Sequence, residues 1–262
     1  MKSGFIVALL LWASLPVAAG AASSLTPQQL AGLAFRQEPG AKLPLGVSLV
    51  DEEGRKVQLG NFFAGRPVLL VFDYLRCRTL CGFVLGDLAS ALSHVPLRSG
   101  RDFSVVAISI DPRDTPADAR AAKSRYLARY GRPGAAGWHF LTGTQAAVRR
   151  IADVAGFRYR YDAESREFAH PAGVVVVGAD GRIARYILGI GYRPLDLRLA
   201  LTDAGQGAIS SPTADLLLLC FHYDPAKGRY DAPVMTAMRI AGGLTLLGIV
   251  AMVAMLSRTK AR

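Results

Sequence analysis

The chain has 262 residues, 51% of them hydrophobic and 19% charged, enough to bury a full core in one domain of ordinary size with sequence left over at both ends. Its formal charge is +11, but Lys2 sits in an N-terminal leader, Arg239, Arg258, Lys260 and Arg262 flank a C-terminal apolar run, and the remaining arginines are scattered along helices. There is no basic stripe interleaved with aromatics, which argues against a nucleic-acid partner and leaves attraction to an anionic membrane surface as the milder consequence.

At the N-terminus, Lys2 precedes an apolar run from Phe5 to Trp12 and small residues closing at Ala19-Gly20-Ala21. A signal peptidase cleaves that arrangement, so residues 1–21 are expected to be a signal peptide and 22–42 a lead segment. Val47 to Val50 and Arg55 to Leu59 alternate about the acidic-glycine turn Asp51-Glu52-Glu53-Gly54, as a hairpin does. Pro67 to Tyr74 is a continuous apolar run of strand length, the mark of a strand buried on both faces. Phe83, Val84, Leu85, Leu88, Leu92 and Val95 then recur at helical spacing, predicting a helix over 82–95.

Phe103 to Ile110 reads as a second buried strand, and Thr115-Pro116 opens a helix with Thr115 as N-cap and proline in the first turn. Trp138 to Leu141 is a short strand and Thr144 to Ala155 a helix. Gly173 to Gly178 with Arg182 to Leu188 forms a hairpin turned at Asp180-Gly181, and a last helix starts near Pro194. Strands alternating with helices predict an α/β, thioredoxin-like domain over 43–201, with a central mixed sheet and helices on both faces.

From Thr202 to Thr213 the residues turn small and polar, which marks a linker and juxtamembrane segment over 202–238. Ile240 to Leu256 carries no charge and is about the length needed to cross a hydrocarbon layer of ~30 Å. A C-terminal transmembrane helix is therefore expected over 239–257, with a cytoplasmic tail over 258–262. The denser positive flank at Arg258, Lys260 and Arg262 keeps that end inside. Together the two ends predict a bacterial inner-membrane protein with one C-terminal span and its folded domain in the periplasm.

Cys77 and Cys81 bracket Arg78-Thr79-Leu80 between the first buried strand and its helix. A helix N-terminus stabilises thiolate there, and two thiolates at this spacing can close on one soft cation. In an oxidising compartment the pair also reads as an inert disulfide or an exchanging dithiol, and the spacing alone does not choose. His170, in Glu167-Phe168-Ala169-His170-Pro171, immediately precedes the later hairpin strand. In a thioredoxin-like sheet that loop faces the cysteine loop, with Pro171 where such folds place a cis-proline. An imidazole there would complete a Cu(I) shell with the two sulfurs.

The CxxxC after a buried strand, the segment Ser109-Ile110-Asp111-Pro112-Arg113-Asp114-Thr115-Pro116 and the downstream His170 resemble the SCO family of cytochrome c oxidase assembly proteins, over roughly 43–201. The resemblance implies copper ligation by Cys77, Cys81 and His170, with Cu(I) the leading ion and Cu(II) a further one, and a disulfide between Cys77 and Cys81 when oxidised. It implies delivery of copper to the binuclear CuA site of cytochrome c oxidase subunit II, or to another copper protein. Arg78 stands where many members have proline, which bears on affinity and redox poise.

Metal transfer needs no catalytic turnover and no small-molecule substrate. The competing function is a thiol-disulfide oxidoreductase acting on the oxidase copper site, with Cys77 attacking and Cys81 resolving. A peroxidase fits the CxxxC poorly, c-type haem would need Cys-x-x-Cys-His, and zinc is short of a fourth ligand.

Asp111 and Asp114 are candidates for carboxylates behind the metal ligands, against ordinary turn capping. Asp73 interrupts a buried run and needs a partner if internal. Cys220 and His222, beside the membrane segment, form a speculative second copper site, weighed against apolar packing of Cys220. His94 and His139 fall in core-like patterns.

Overall fold

The computed structural model describes residues 33–76, 82–163, 167–209, 223–224, 229–230 and 242–245. The chain divides into two units, Met1–Gly32 and Leu33–Arg262, and every described residue belongs to the second. The elements run β1 (Ser48–Val50), β2 (Lys56–Gln58), β3 (Val68–Asp73), α1 (Gly82–Ser93), β4 (Ser104–Ser109), α2 (Pro116–Tyr130), β5 (Trp138–Leu141) and α3 (Gln145–Val154). They continue with β6 (Arg160–Asp162), β7 (Glu167–Ala169), β8 (Gly173–Val177), β9 (Ile183–Leu188), α4 (Pro194–Gly205) and a short pair, β10 (Tyr223–Asp224) with β11 (Arg229–Tyr230).

Five strands form the central sheet in the order β5-β4-β3-β8-β9. β3, β4 and β5 are parallel neighbours, whereas β8 runs antiparallel to β3 and to β9. The mixed sheet follows from the connections: helices α1 and α2 carry the chain across between parallel strands, and the Asp180-Gly181 turn, with Gly181 at φ +82°, returns β9 against β8.

The apolar runs in β3, β4 and β8 are buried on both faces because the sheet is covered on both faces. Leu69, Val71, Val105, Ala107, Val174 and Val176 pack on one side with Leu85 and Leu88 of α1, Ala119 and Ala122 of α2, and Leu197 and Leu201 of α4. Their neighbours Leu70, Phe72, Val106, Ile108 and Val175 pack on the other with Val148 and Ile151 of α3, and with Leu49 and Phe62. A strand sends successive side chains to opposite faces, so each needs an apolar partner layer. Each fully buried Val or Leu contributes about 1.5–3 kcal/mol of transfer free energy.

Thr115 caps α2 as its sequence predicts, accepting from the Asp118 amide while Asp118 reaches back to the Thr115 amide. Thr144 caps α3 by accepting from the Ala147 amide, with no side chain reaching back. Two boundaries differ from expectation. The linker expected from Thr202 begins later, because α4 continues to Gly205 and Ala204 still buries its methyl against the sheet. The helix expected to reach Val95 stops at Ser93, where Arg132 Nη1 donates to the Leu92 and Ser93 carbonyls. His94, expected in a core position, is exposed, with Nδ1 against the Ser90 carbonyl at 3.0 Å.

The open edge of the sheet at β5 is closed by the β1–β2 turn. Glu52, 5% exposed, accepts from the Phe140 amide at 3.1 Å and from Lys123 Nζ. A carboxylate spending itself on an edge-strand N–H also denies that edge to another chain. His139 lies beside it with its ring 4.5 Å from that of Phe62. Burial, only partly offset by the Glu52 charge, pushes the His139 imidazole down from 6.5 to about 4, with Lys123 and Arg66 pushing the same way and Asp51 opposing. The unfolded chain therefore binds a proton that the folded chain refuses between those two values, so stability falls as pH drops from about 6.5 to about 4. Unfolding free energies from urea titrations across that window are expected to decline in the wild type by an amount on the order of 2–3 kcal/mol. The decline should be shallower in His139→Gln, and equal slopes would refute the assignment.

Among the described residues no helix is long and apolar enough to cross a membrane. The expected signal peptide lies outside the described residues, as does the expected span apart from residues 242–245, which are helical.

Candidate functional site

β3 leaves the sheet at Asp73, and the Ile110 amide still donates to the Asp73 carbonyl at 2.8 Å. On the other side β3 pairs with β8 in the register Leu70↔Val175. Continuing that antiparallel register outward sets Tyr74 and Leu75 level with Pro171 and His170. Sheet pairing thus brings His170 to the residues just before Cys77, although 93 positions of sequence separate histidine and cysteine.

The imidazole of His170 is half-buried among aromatic rings. Its centroid is 6.0 Å from that of Tyr74, nearly perpendicular, and 5.8 Å from that of Phe157. Tyr159 and Phe168 complete the wall, Phe168 lying 5.9 Å from Tyr74 and 6.0 Å from Tyr159. Burial lowers the His170 pKa, opposed by the contact of Nδ1 with the Pro171 carbonyl at 3.1 Å. The ring is therefore neutral near pH 7, and a carbonyl partner requires the proton on Nδ1, which leaves the lone pair on Nε2. Fixing one ring nitrogen on a carbonyl is how a metal-ligating histidine is oriented. No cis peptide occurs among the described residues, so the His170–Pro171 bond is trans, the default isomer, contrary to the expectation for that position.

The Asp111–Asp114 turn joins this wall to the cysteine loop. Asp114, with its side chain fully buried, accepts from the Leu75 amide at 2.7 Å, from Arg76 Nε at 2.7 Å and from Ser109 Oγ at 2.6 Å. Arg76 is about half exposed and is also within 3.9 Å of Asp111 and Asp118. Its pKa is raised, first by the Asp114 hydrogen bond. Asp111 caps the turn through the Arg113 amide at 2.9 Å and takes both Nε and Nη2 of the Arg113 guanidinium. Burial pushes the Asp111 carboxyl up, yet the Arg113 hydrogen bonds and the nearby Arg113 and Arg76 charges outweigh it and hold the group below its ordinary value.

Asp111 thus faces Arg113, and the carboxylate that grips the cysteine loop is Asp114. Among the described residues no three His, Cys, Asp or Glu side chains cluster as a metal site. Cys77, Cys81, Cys220 and His222 lie outside the described residues.

The aromatic wall was missed by sequence reasoning, although its signal is present. Phe157, Tyr159 and Tyr161 alternate with arginines at a period of two, the pattern of a half-buried strand.

A family model described as SCO1/SenC matches residues 40–193. This chain belongs to the SCO1/SenC family. Among solved structures, this SCO1/SenC chain is similar to a protein from Aquifex aeolicus VF5 whose name suggests electron transfer, with 30% identity and a TM-score of 0.56, covering 65% of this chain and 96% of that one. It is also similar in fold to Arabidopsis thaliana ScoI, crystallised with copper bound, at 19% identity and a TM-score of 0.51, over 65% of this chain and 98% of that one. BsSco, named as a member of the Sco family of cytochrome c oxidase assembly proteins with a disulfide switch, matches at 21% identity and a TM-score of 0.51, over 65% and 97%. No curated protein matches the chain.

Proposed function

We propose that this SCO1/SenC protein is a copper chaperone that binds Cu(I) through Cys77, Cys81 and His170 and delivers it to a copper site of cytochrome c oxidase during assembly. The observation that carries the reading is His170. Its ring is neutral, is held by Nδ1 on the Pro171 carbonyl, and lies against Tyr74, three residues before Cys77. Family membership and the copper-bound Arabidopsis relative support the same ion.

The residues have distinct roles. Reduced Cys77 and Cys81 supply two thiolates, and His170 Nε2 supplies a third donor. The walls made by Tyr74, Phe157 and Phe168 keep water from the imidazole side, which suits holding Cu(I). Three donors leave the shell open to an incoming ligand, so copper moves to the partner by exchange of one donor at a time, with no change in its charge. The partner is CuA of subunit II or another exported copper protein. The domain works on the periplasmic side of the inner membrane, exported by residues 1–21 and tethered by 239–257.

Mixing the Cu(I)-loaded full chain with the reduced apo copper domain of an oxidase subunit II tests this. Copper is expected to move to the acceptor, read as the metal content of the separated proteins, with the CuA absorption bands appearing once the replete site is oxidised by one electron with added ferricyanide. If copper stays on the donor, and the reduced, copper-free chain in a parallel assay reduces the disulfide of the oxidised acceptor equally well as wild type and as His170→Ala, the chaperone assignment fails in favour of a thiol reductase.

A further inference from the structure

The Asp111–Asp114 turn touches both segments that carry the candidate ligands. Through Asp114 it holds the amide of Leu75 and the guanidinium of Arg76, the two residues before Cys77. Through Asp111 it holds Arg113 by two parallel N–H donations, at 2.8 Å each from Nε and Nη2. The fixed guanidinium lies over the ring of Tyr161, 5.4 Å from its centroid. Tyr161 stands opposite Phe168 in the β6–β7 register, ring centroids 5.1 Å apart, and Phe168 packs on Tyr74 two residues before His170.

We infer that Arg113 and Tyr161 are positioning residues for His170: they pin the β6–β7 hairpin to the turn that also holds Leu75 and Arg76, so one element orients the imidazole against the residues that lead into Cys77. This rests on the copper reading above and adds to it the part of the chain that fixes the geometry.

β6 and β7 pair only with each other, three residues apiece, and belong to no larger sheet. A two-stranded ribbon of that length is not stable by itself, so its position must come from side chains packed on other elements. Arg113 carries a contact from the turn to the hairpin, over the ring of Tyr161. A guanidinium fixed in a bidentate fork over an aromatic face is directional, and a lysine ammonium cannot reproduce the fork. The link is also separable from the cysteine side. Arg113 and Tyr161 are both exposed, at 56% and 42%, so shortening either leaves no hole in the core, whereas Asp114 on the other arm is buried.

The test uses the full chain as wild type, Tyr161→Ala, Tyr161→Phe, Arg113→Lys and His170→Ala. Two quantities are read on each: Cu(I) affinity by chelator competition, and the midpoint potential of the Cys77/Cys81 couple. Tyr161→Ala and Arg113→Lys are expected to weaken Cu(I) binding by about 10- to 100-fold, the range for partners that orient a ligand. Tyr161→Phe keeps the ring face but loses the hydroxyl that Arg113 also meets, and should bind between wild type and Tyr161→Ala. The thiol potential should stay at the wild-type value in all three. If Tyr161→Ala binds copper as wild type while His170→Ala is weakened, the positioning role is wrong and the copper site stands. A parallel shift of affinity and potential in Tyr161→Ala would also overturn it, since that marks general loosening. If His170→Ala itself binds as wild type, the copper reading falls.

Discussion

Replacing His170 with alanine is expected to weaken Cu(I) binding by the reduced protein more than about 100-fold, because even residues that only orient a ligand are worth about 10- to 100-fold. The fold should barely notice. His170 is half-buried, and its polar contact is to its own neighbour, the Pro171 carbonyl, so removing it strands no distant donor. pH adds a second signature. Burial keeps the His170 pKa below its ordinary value, so the imidazole need not lose a proton to bind metal near neutrality. The fall in copper affinity as pH drops through the neutral range should therefore follow the thiols and be equally steep in wild type and in His170→Ala. Chelator competition at several pH values measures both. A histidine-dependent steepening around pH 6.5 would show a ring that is protonated in the free protein.

Asp114→Ala should cost about 3–5 kcal/mol of stability, the largest loss expected from a polar substitution at this corner. The reasoning is one of accounting for donors. The buried carboxylate receives a backbone amide, a hydroxyl and a guanidinium. Truncation leaves the first two buried without it, at about 1–3 kcal/mol each. The Arg76 pairing adds less because that side chain is half in solvent. Asp111→Ala is the internal control. Its main partner, Arg113, regains water freely, so the expected cost is only about 1–2 kcal/mol. Urea denaturation of both variants decides the matter, and equal losses would mean that the turn acts as a surface ion pair.

The two aspartates show where sequence reasoning stops. Asp111-Pro112 and Asp114-Thr115 both read as turn and cap chemistry, and for Asp111 that was correct. Nothing in the local pattern reveals that Asp114 points back across the sheet to residues 39 positions earlier. Long-range polar contacts of this kind depend on strand order, which the sequence constrains only through its alternation of strands and helices. The buried strands were legible because an apolar run of that length has few other folds available, and helix α2 announced itself through Thr115 and Pro116.

The β6–β7 hairpin was not legible. Each strand has three residues, and only Phe168 among the six is buried, so the segment shows no apolar face of strand length. Its arginines masked the period-two row of Phe157, Tyr159 and Tyr161. His170 could be singled out because it precedes a clear strand, yet its aromatic wall comes from Tyr74, from Phe157 and Tyr159 ahead of β6, and from Phe168 in the unseen hairpin. Glu52 was hidden for a similar reason: within an acidic turn it reads as solvated, and only the fold brings the Phe140 amide to it.

Everything proposed for this protein depends on one metal ion sharing the Cys77 and Cys81 sulfurs with His170. X-ray absorption at the copper edge of the Cu(I)-loaded full chain tests that directly. The expected spectrum has two sulfur scatterers and one imidazole nitrogen in the wild type, with the imidazole contribution gone in His170→Ala. A wild-type spectrum fitted by sulfur alone, unchanged by the substitution, would contradict the account.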